Sequence, residues 1–192
     1  MVVDPHSSLA RIDWGDRRAK FNGGRPVHLH VVLSMSTSNR LYFAYGSNLN
    51  LEDFDAWCRR NGFRQSLLKY HSNARLPNYD LAFTLYAASR NGGVLDLKPS
   101  VGRLVPGVLF EVGAEGWKAL DKKEGVPTAY ERLAVTVINV LEQPVEAISY
   151  QVCEGKKSPF VVPDESYVEI VRQGLKVWGY DDAILLAATK YC

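Results

Sequence analysis

A chain of 192 residues with 46% hydrophobic content can bury the core of one domain plus an appendage, and leaves no room for a second full domain. Its net charge of only +2, with acids and bases mixed along the chain, excludes the basic footprint of a nucleic-acid binder. The longest apolar run, near Ala183 to Ala188, is too short to cross a bilayer, so no membrane partner is expected and the ligand is a small molecule or a protein.

The first forty residues intersperse Arg11, Arg17, Arg18, Lys20, Arg25 and Arg40 with Gly23, Gly24, Pro26 and a Ser-rich cluster from Ser34 to Ser38. This composition predicts a poorly structured basic extension over residues 1–40, with one short strand at most, Val27 to Leu33. A secretory signal does not fit, because the apolar run is short and follows acidic residues. Basic, Ser-bearing composition suits organelle targeting, but Asp4, Asp13 and Asp16 weigh against it. Cys58, Cys153 and Cys192 show no close pairing, which fits reduced thiols and a cytoplasmic location.

The main domain is expected over residues 41–192. Leu41 to Leu49 reads LYFAYGSNL: β-compatible aromatic residues that give way at once to Gly46-Ser47-Asn48, a strand leading into a turn that can expose backbone N–H groups. Asn50 or Ser47 is placed to cap a helix from Leu51 to Arg60, whose acids come early and whose Arg59 and Arg60 come late. Tyr79 to Leu85 reads as a strand, Gly92 to Leu97 as a turn entering another, and Val101 to Val112 as a further strand entered through a bend. A helix follows over Ala114 to Lys123, ending at Glu124-Gly125. Leu133 to Val140 and Ala147 to Val152 form a predicted hairpin around Glu142, Gln143 and Pro144. Ser166 to Trp178 and Asp181 to Ala188 are predicted helices, the first with Tyr167, Ile170, Val171, Leu175 and Trp178 on one stripe. The order of elements is that of a mixed α+β domain.

Four segments together resemble the gamma-glutamylcyclotransferase-like family: LYFAYGSNL, Val105 to Phe110 (VPGVLF), Leu120 to Val126 (LDKKEGV) and Tyr130-Glu131-Arg132, in that order over about Leu41 to Ala188. The resemblance implies a small mixed β-barrel with flanking helices. It also implies an enzyme that makes 5-oxoproline from γ-glutamyl compounds without a cofactor. FAYGSNL leans toward the branch acting on γ-glutamyl amino acids.

Glu124 is the one acidic residue singled out. It sits at a bend where a carboxylate can be tucked inward, and the resemblance gives it the family's general acid/base role. The same resemblance assigns the substrate to the loop Tyr45, Gly46, Ser47, Asn48 and Leu49, whose N–H groups would face developing negative charge, and to Tyr130. Pro163 to Tyr167 (PDESY) is similar to a late Pro-Ser-x-x-Tyr element, but here Ser166 directly precedes Tyr167.

Ser47 as a hydrolase nucleophile is the rival reading, opposed by the lack of a GxSxG elbow or a histidine marked as its base. Arg75 and Arg90 are shaped to grip carboxylates but read first as solvated surface arginines, and Cys58 reads as a packing residue. No metal is expected: there is no CxxC or HExxH, and the single close pair His28 and His30 has no third ligand nearby. Two further readings of the same fold stay open: a module that binds a γ-glutamyl metabolite or a protein without turnover, and an enzyme that removes a γ-glutamyl group within one biosynthetic pathway. Monomer and homodimer are equally compatible with the sequence.

Overall fold

The computed structural model describes residues 40–190; the Val27 to Leu33 segment and His28 and His30 lie outside the described residues. Among the described residues, five strands close into a barrel in the order β1-β3-β2-β4-β5, with four α-helices around it. The strands are β1 Arg40–Ala44, β2 Leu68–Ala87, β3 Gly92–Val112, β4 Tyr130–Asn139 and β5 Pro144–Val152. All neighbours run antiparallel except β1 and β5, whose parallel pairing at Tyr42 and Ile148 closes the barrel. Phe43, Phe83, Leu97, Leu109, Phe110 and Val137 are buried in the core that the barrel and the helices enclose. No described helix is long and apolar enough to cross a membrane.

Two expectations about the strands need correction. The predicted strands starting at Gly92 and at Val101 are one continuous β3, and the strand at Tyr79 to Leu85 is only the far half of β2, which begins at Leu68. Proline and glycine, which argue against a central strand, are absorbed here by irregularities in the β2–β3 ladder. The register jumps between Pro77 and Tyr79, where Pro77 faces Leu104 and Tyr79 faces Pro99. At that jump Asn78 and Gly102 take positive φ, and the Gly102 amide donates to Asn78 Oδ1 at 3.1 Å. Such bulges bend and twist a strand, which lets one long hairpin wrap around the barrel.

The helices are α1 Leu51–Arg60, α2 Ala114–Glu124, α3 Glu165–Val177 and α4 Ala183–Ala188. Asn50 caps α1 as expected, its side chain accepting the Asp53 amide at 3.1 Å. Gly125, at φ 67°, terminates α2 in the left-handed conformation that glycine adopts at least cost, and the Val126 amide folds back onto the Asp121 carbonyl. Glu124 therefore stands on the last helical residue before a sharp reversal. Asp164 caps α3, which packs directly against the short 3₁₀ turn Ser47–Leu49 that follows β1. The helix can approach so closely because residue 174 is glycine. A Cβ there would lie 2.7 Å from Leu49 Cβ and 2.8 Å from the Asn50 nitrogen.

Candidate active site

The end of β1 delivers Tyr45 and Gly46 to the mouth of the barrel, and the 3₁₀ turn then points Asn48 inward, where it is buried. From 76 positions away, α2 brings Glu124 to the same place: Asn48 Nδ2 donates to Glu124 Oε1 at 2.8 Å and to the Tyr42 hydroxyl at 2.9 Å. The amide thus fixes one carboxylate oxygen and leaves the other unclaimed by that bond. The carbonyl end of the same amide, Asn48 Oδ1, is buried and has no hydrogen-bond partner. A buried acceptor left unpaired beside a carboxylate is costly unless something fills the site, and a ligand bearing donors would satisfy both.

Around this pair lies a small slot, about 30 Å³ in volume, walled largely by phenols: Tyr42, Tyr45, Tyr130, Tyr150 and Tyr167. Burial raises the pKa of every one, to about 12 for Tyr167, so all five are neutral at physiological pH. Three of their hydroxyls donate to the scaffold, and the Tyr167 hydroxyl accepts the Leu95 amide at 3.3 Å. Tyr45 donates to the Tyr150 carbonyl at 2.8 Å, Tyr130 to the Leu95 carbonyl at 2.7 Å, and Tyr150 to Asp121 Oδ1 at 2.8 Å. These bonds make the walls stiff.

A second, larger cavity of about 330 Å³ opens outward from the slot and shares Ser47, Glu124, Tyr130 and Tyr167 with it. Its wall carries a charged cluster. Arg90 grips Asp53 with two hydrogen bonds of 3.0 and 2.6 Å and lies over the Tyr167 ring, 5.7 Å from its centroid. Lys123, buried beside Glu124, donates to Ser47 Oγ at 3.2 Å and sits 3.9 Å from Asp53 Oδ2. Burial lowers the Lys123 pKa, an effect that the carboxylates of Glu124 and Asp53 oppose.

Of the residues singled out from sequence, Tyr45, Gly46, Ser47, Asn48, Glu124 and Tyr130 all line the slot. Leu49 does not. Its amide is returned to the Gly46 carbonyl at 3.0 Å and its side chain is fully buried in the core, because a 3₁₀ turn consumes the amide of its third residue. Arg90 reaches the outer cavity, held by Asp53, whereas Arg75 pairs with Glu142 on the exposed surface. Ser166 bonds to Asp164 at the start of α3 and does not line either cavity. Ser47 has a lysine, not a histidine, on its hydroxyl, and His71, the one histidine among the described residues, is exposed on β2. Among the described residues no three side chains able to hold a metal ion converge.

Sequence reasoning missed Tyr42, Tyr150, Leu95 and Lys123 as parts of the site. The two tyrosines carried a signal: each sits in a largely apolar, β-compatible segment with a hydroxyl that, once buried, needs a partner. Lys123 carried none, since a lysine near a helix C-terminus is ordinarily a solvated cation.

Comparison with known proteins gives a consistent answer. The family model described as "Gamma-glutamyl cyclotransferase, AIG2-like" matches residues 42–169. Proteins named gamma-glutamylcyclotransferase from Bos taurus and Homo sapiens are 30% and 28% identical over 141 residues, spanning 71% of this chain and 70% of theirs. A solved structure titled gamma-glutamyl cyclotransferase superposes with a TM-score of 0.64 at 26% identity, over 73% of this chain and 80% of that one.

Proposed function

This chain belongs to the gamma-glutamyl cyclotransferase, AIG2-like family and is an enzyme of that type, and we propose that it converts a γ-glutamyl amino acid to 5-oxoproline and the free amino acid with Glu124 as its acid and base. The observation that carries the proposal is the Asn48–Glu124 hydrogen bond of 2.8 Å at the foot of the tyrosine-walled slot, where an otherwise unpaired acceptor, Asn48 Oδ1, awaits a donor.

The chemistry asks little of the protein beyond placement. In a γ-glutamyl substrate the α-amine reaches its own γ-carbonyl carbon, so the nucleophile is internal, and ring closure of this kind carries an effective molarity of roughly 10⁵ M or more. The amine arrives as an ammonium, which cannot attack. Glu124 removes one proton, the C–N bond of the five-membered ring forms, and the γ-carbonyl oxygen becomes an oxyanion. Glu124 returns the proton to the departing nitrogen as the original C–N bond breaks, and then carries the second proton of the ring nitrogen to the released amine, so that the products are the neutral lactam and an ammonium. Atoms balance without water or a cofactor.

The substrate ammonium, a triple donor, matches the acceptors gathered at one spot, Glu124 and Asn48 Oδ1. The oxyanion would be received by the turn after β1. The amides of Leu49 and Asn50 are engaged with Gly46 and Ser47, so the first amides of the turn, at Gly46 to Asn48, are assigned this role. Tyr130 would bound the slot as a rigid wall, since its hydroxyl is held by Leu95.

The test is to incubate the purified protein with γ-glutamyl amino acids, γ-glutamyl amines and glutathione and to quantify 5-oxoproline by mass spectrometry. Equal release of 5-oxoproline and free amine is expected for at least one γ-glutamyl amino acid. A rise in melting temperature with these ligands and no 5-oxoproline would mark a binding module instead.

A further inference from the structure

Beyond the reacting end, the site makes a selection that depends on the outer cavity. The slot is about 30 Å³ and the cavity beside it about 330 Å³, and Glu124 lies in the wall of both. A γ-glutamyl compound with its α-amine on Glu124 therefore has only one direction in which its leaving group can extend.

The wall of that cavity has a definite chemistry. Its cations are Arg60, Arg90 and Lys123, against the carboxylate of Glu124 within the wall and Asp53 behind it. Arg90 and Lys123 are both directed at Asp53, whereas Arg60 makes no side-chain hydrogen bond or ion pair among the described residues. The cavity thus holds one uncompensated positive charge on a long, adjustable arm. The rest of the wall sets the apolar Leu85, Ala87 and Val94 and the ring of Trp57 beside the hydroxyls of Ser47 and Ser89. Trp57 stands against Phe63 in a stack of 5.9 Å, and Tyr86 is 58% exposed, an aromatic face turned to the groove without a partner ring. An exposed aromatic beside an unpaired guanidinium suits a ligand that is part apolar and part anionic.

Resting on the cyclotransferase reading above, we infer that the outer cavity is a leaving-group subsite for an α-amino acid with a large apolar or aromatic side chain. Its carboxylate is received by Arg60, and its side chain lies along Trp57 and Tyr86. A leaving amine that is itself cationic is disfavoured by the same charge balance, and one without a carboxylate leaves Arg60 unused.

The test is kcat/KM for four substrates: γ-glutamyl-phenylalanine, γ-glutamyl-glycine, γ-glutamyl-phenethylamine, which lacks only the carboxylate, and γ-glutamyl-cadaverine, whose leaving group is cationic. The phenylalanine substrate is expected to exceed the phenethylamine one by about tenfold, the scale of one charge-assisted hydrogen bond, and the glycine one by about tenfold or more, the scale of an apolar side chain in its pocket. Arg60→Gln should shrink the first difference and Tyr86→Ala the second. Both positions are exposed at the surface, so neither change threatens folding. Equal rates for all four, preference for the cadaverine substrate, or differences unmoved by both substitutions would overturn the inference. Dissociation constants of the same four compounds, measured by calorimetry, keep the two readings separate. The same ranking with no turnover would support the subsite and refute the catalytic reading, and a flat ranking would refute the subsite.

Discussion

Replacing Gly174 with alanine adds one methyl group on α3, on the far side of the Ser47–Leu49 turn from the reacting groups, and should nevertheless damage the enzyme. The new Cβ would sit 2.7 Å from Leu49 Cβ, 2.8 Å from the Asn50 nitrogen and 2.9 Å from the Leu49 carbonyl carbon, where ordinary contact begins near 3.4 Å. Two of these three atoms are backbone, so no rotamer change relieves the clash, and helix and turn must part by several tenths of an ångström. The turn has little freedom to yield elsewhere, because Trp178 Nε1 holds the Leu49 carbonyl at 2.8 Å and the Leu49 side chain is wholly buried. Overpacking of this kind costs about 1–3 kcal/mol, offset by about 1 kcal/mol from alanine's preference for a helix over glycine. The net loss of stability is then small. Catalysis is the sensitive readout, since the displaced turn carries Asn48, which positions Glu124, and misplacement approaching 1 Å can cost about a hundredfold. Steady-state release of 5-oxoproline should show kcat/KM lowered by about tenfold to a hundredfold in a protein whose circular dichroism matches the parent. A Gly174→Ala protein with parental activity would refute the claim that the turn's position sets that of the carboxylate.

Lys123→Met should separate stability from activity. Burial holds the Lys123 pKa below that of a free lysine, so the folded state binds this proton less tightly than the unfolded chain does. Its charge costs stability at neutral pH, and the cost disappears as pH rises through the folded pKa toward the unfolded value near ~10.4. Accordingly, the methionine variant should melt no lower than the parent at pH 7, with the parent gaining on it toward alkaline pH, while activity falls because Ser47 Oγ loses its donor. A lower melting temperature at pH 7 would contradict this. At the acid end, the hydroxyl and amide of Ser166 hold Asp164 below the usual carboxylate range. That contribution is fully present above an unfolded pKa of about 3.9 and is lost as pH falls through the folded pKa. The melting-temperature difference between parent and Asp164→Asn should therefore narrow as pH drops from 5 toward 2, and a constant difference would rule the contribution out.

Local chemistry was legible in the sequence and distant chemistry was not. Asn50 capping α1, the Gly46-Ser47-Asn48 turn and the Glu124-Gly125 helix end each follow from residues within four positions of one another, where capping and positive φ act directly. The long β2–β3 hairpin escaped because Pro77, Pro99 and Gly102 look like strand breakers until the partner strand supplies a bulge around them. The site was half visible for the same reason. The turn and Glu124 came through a family resemblance, but what joins them is the Asn48 bond across 76 residues, and Lys123 reaches Ser47 over the same separation. Tyr42 and Tyr150 belong to strands whose parallel pairing only barrel closure creates.

The most direct test is Glu124→Gln, which keeps the size of the side chain and its hydrogen-bonding capacity toward Asn48 while removing the proton carrier. Using whichever γ-glutamyl amino acid the parent turns over, kcat should fall by at least about a hundredfold, the scale of general acid–base catalysis. The dissociation constant for that substrate, measured by calorimetry on the same sample, should change far less. A glutamine variant that makes 5-oxoproline at the parental rate would contradict the role given to Glu124.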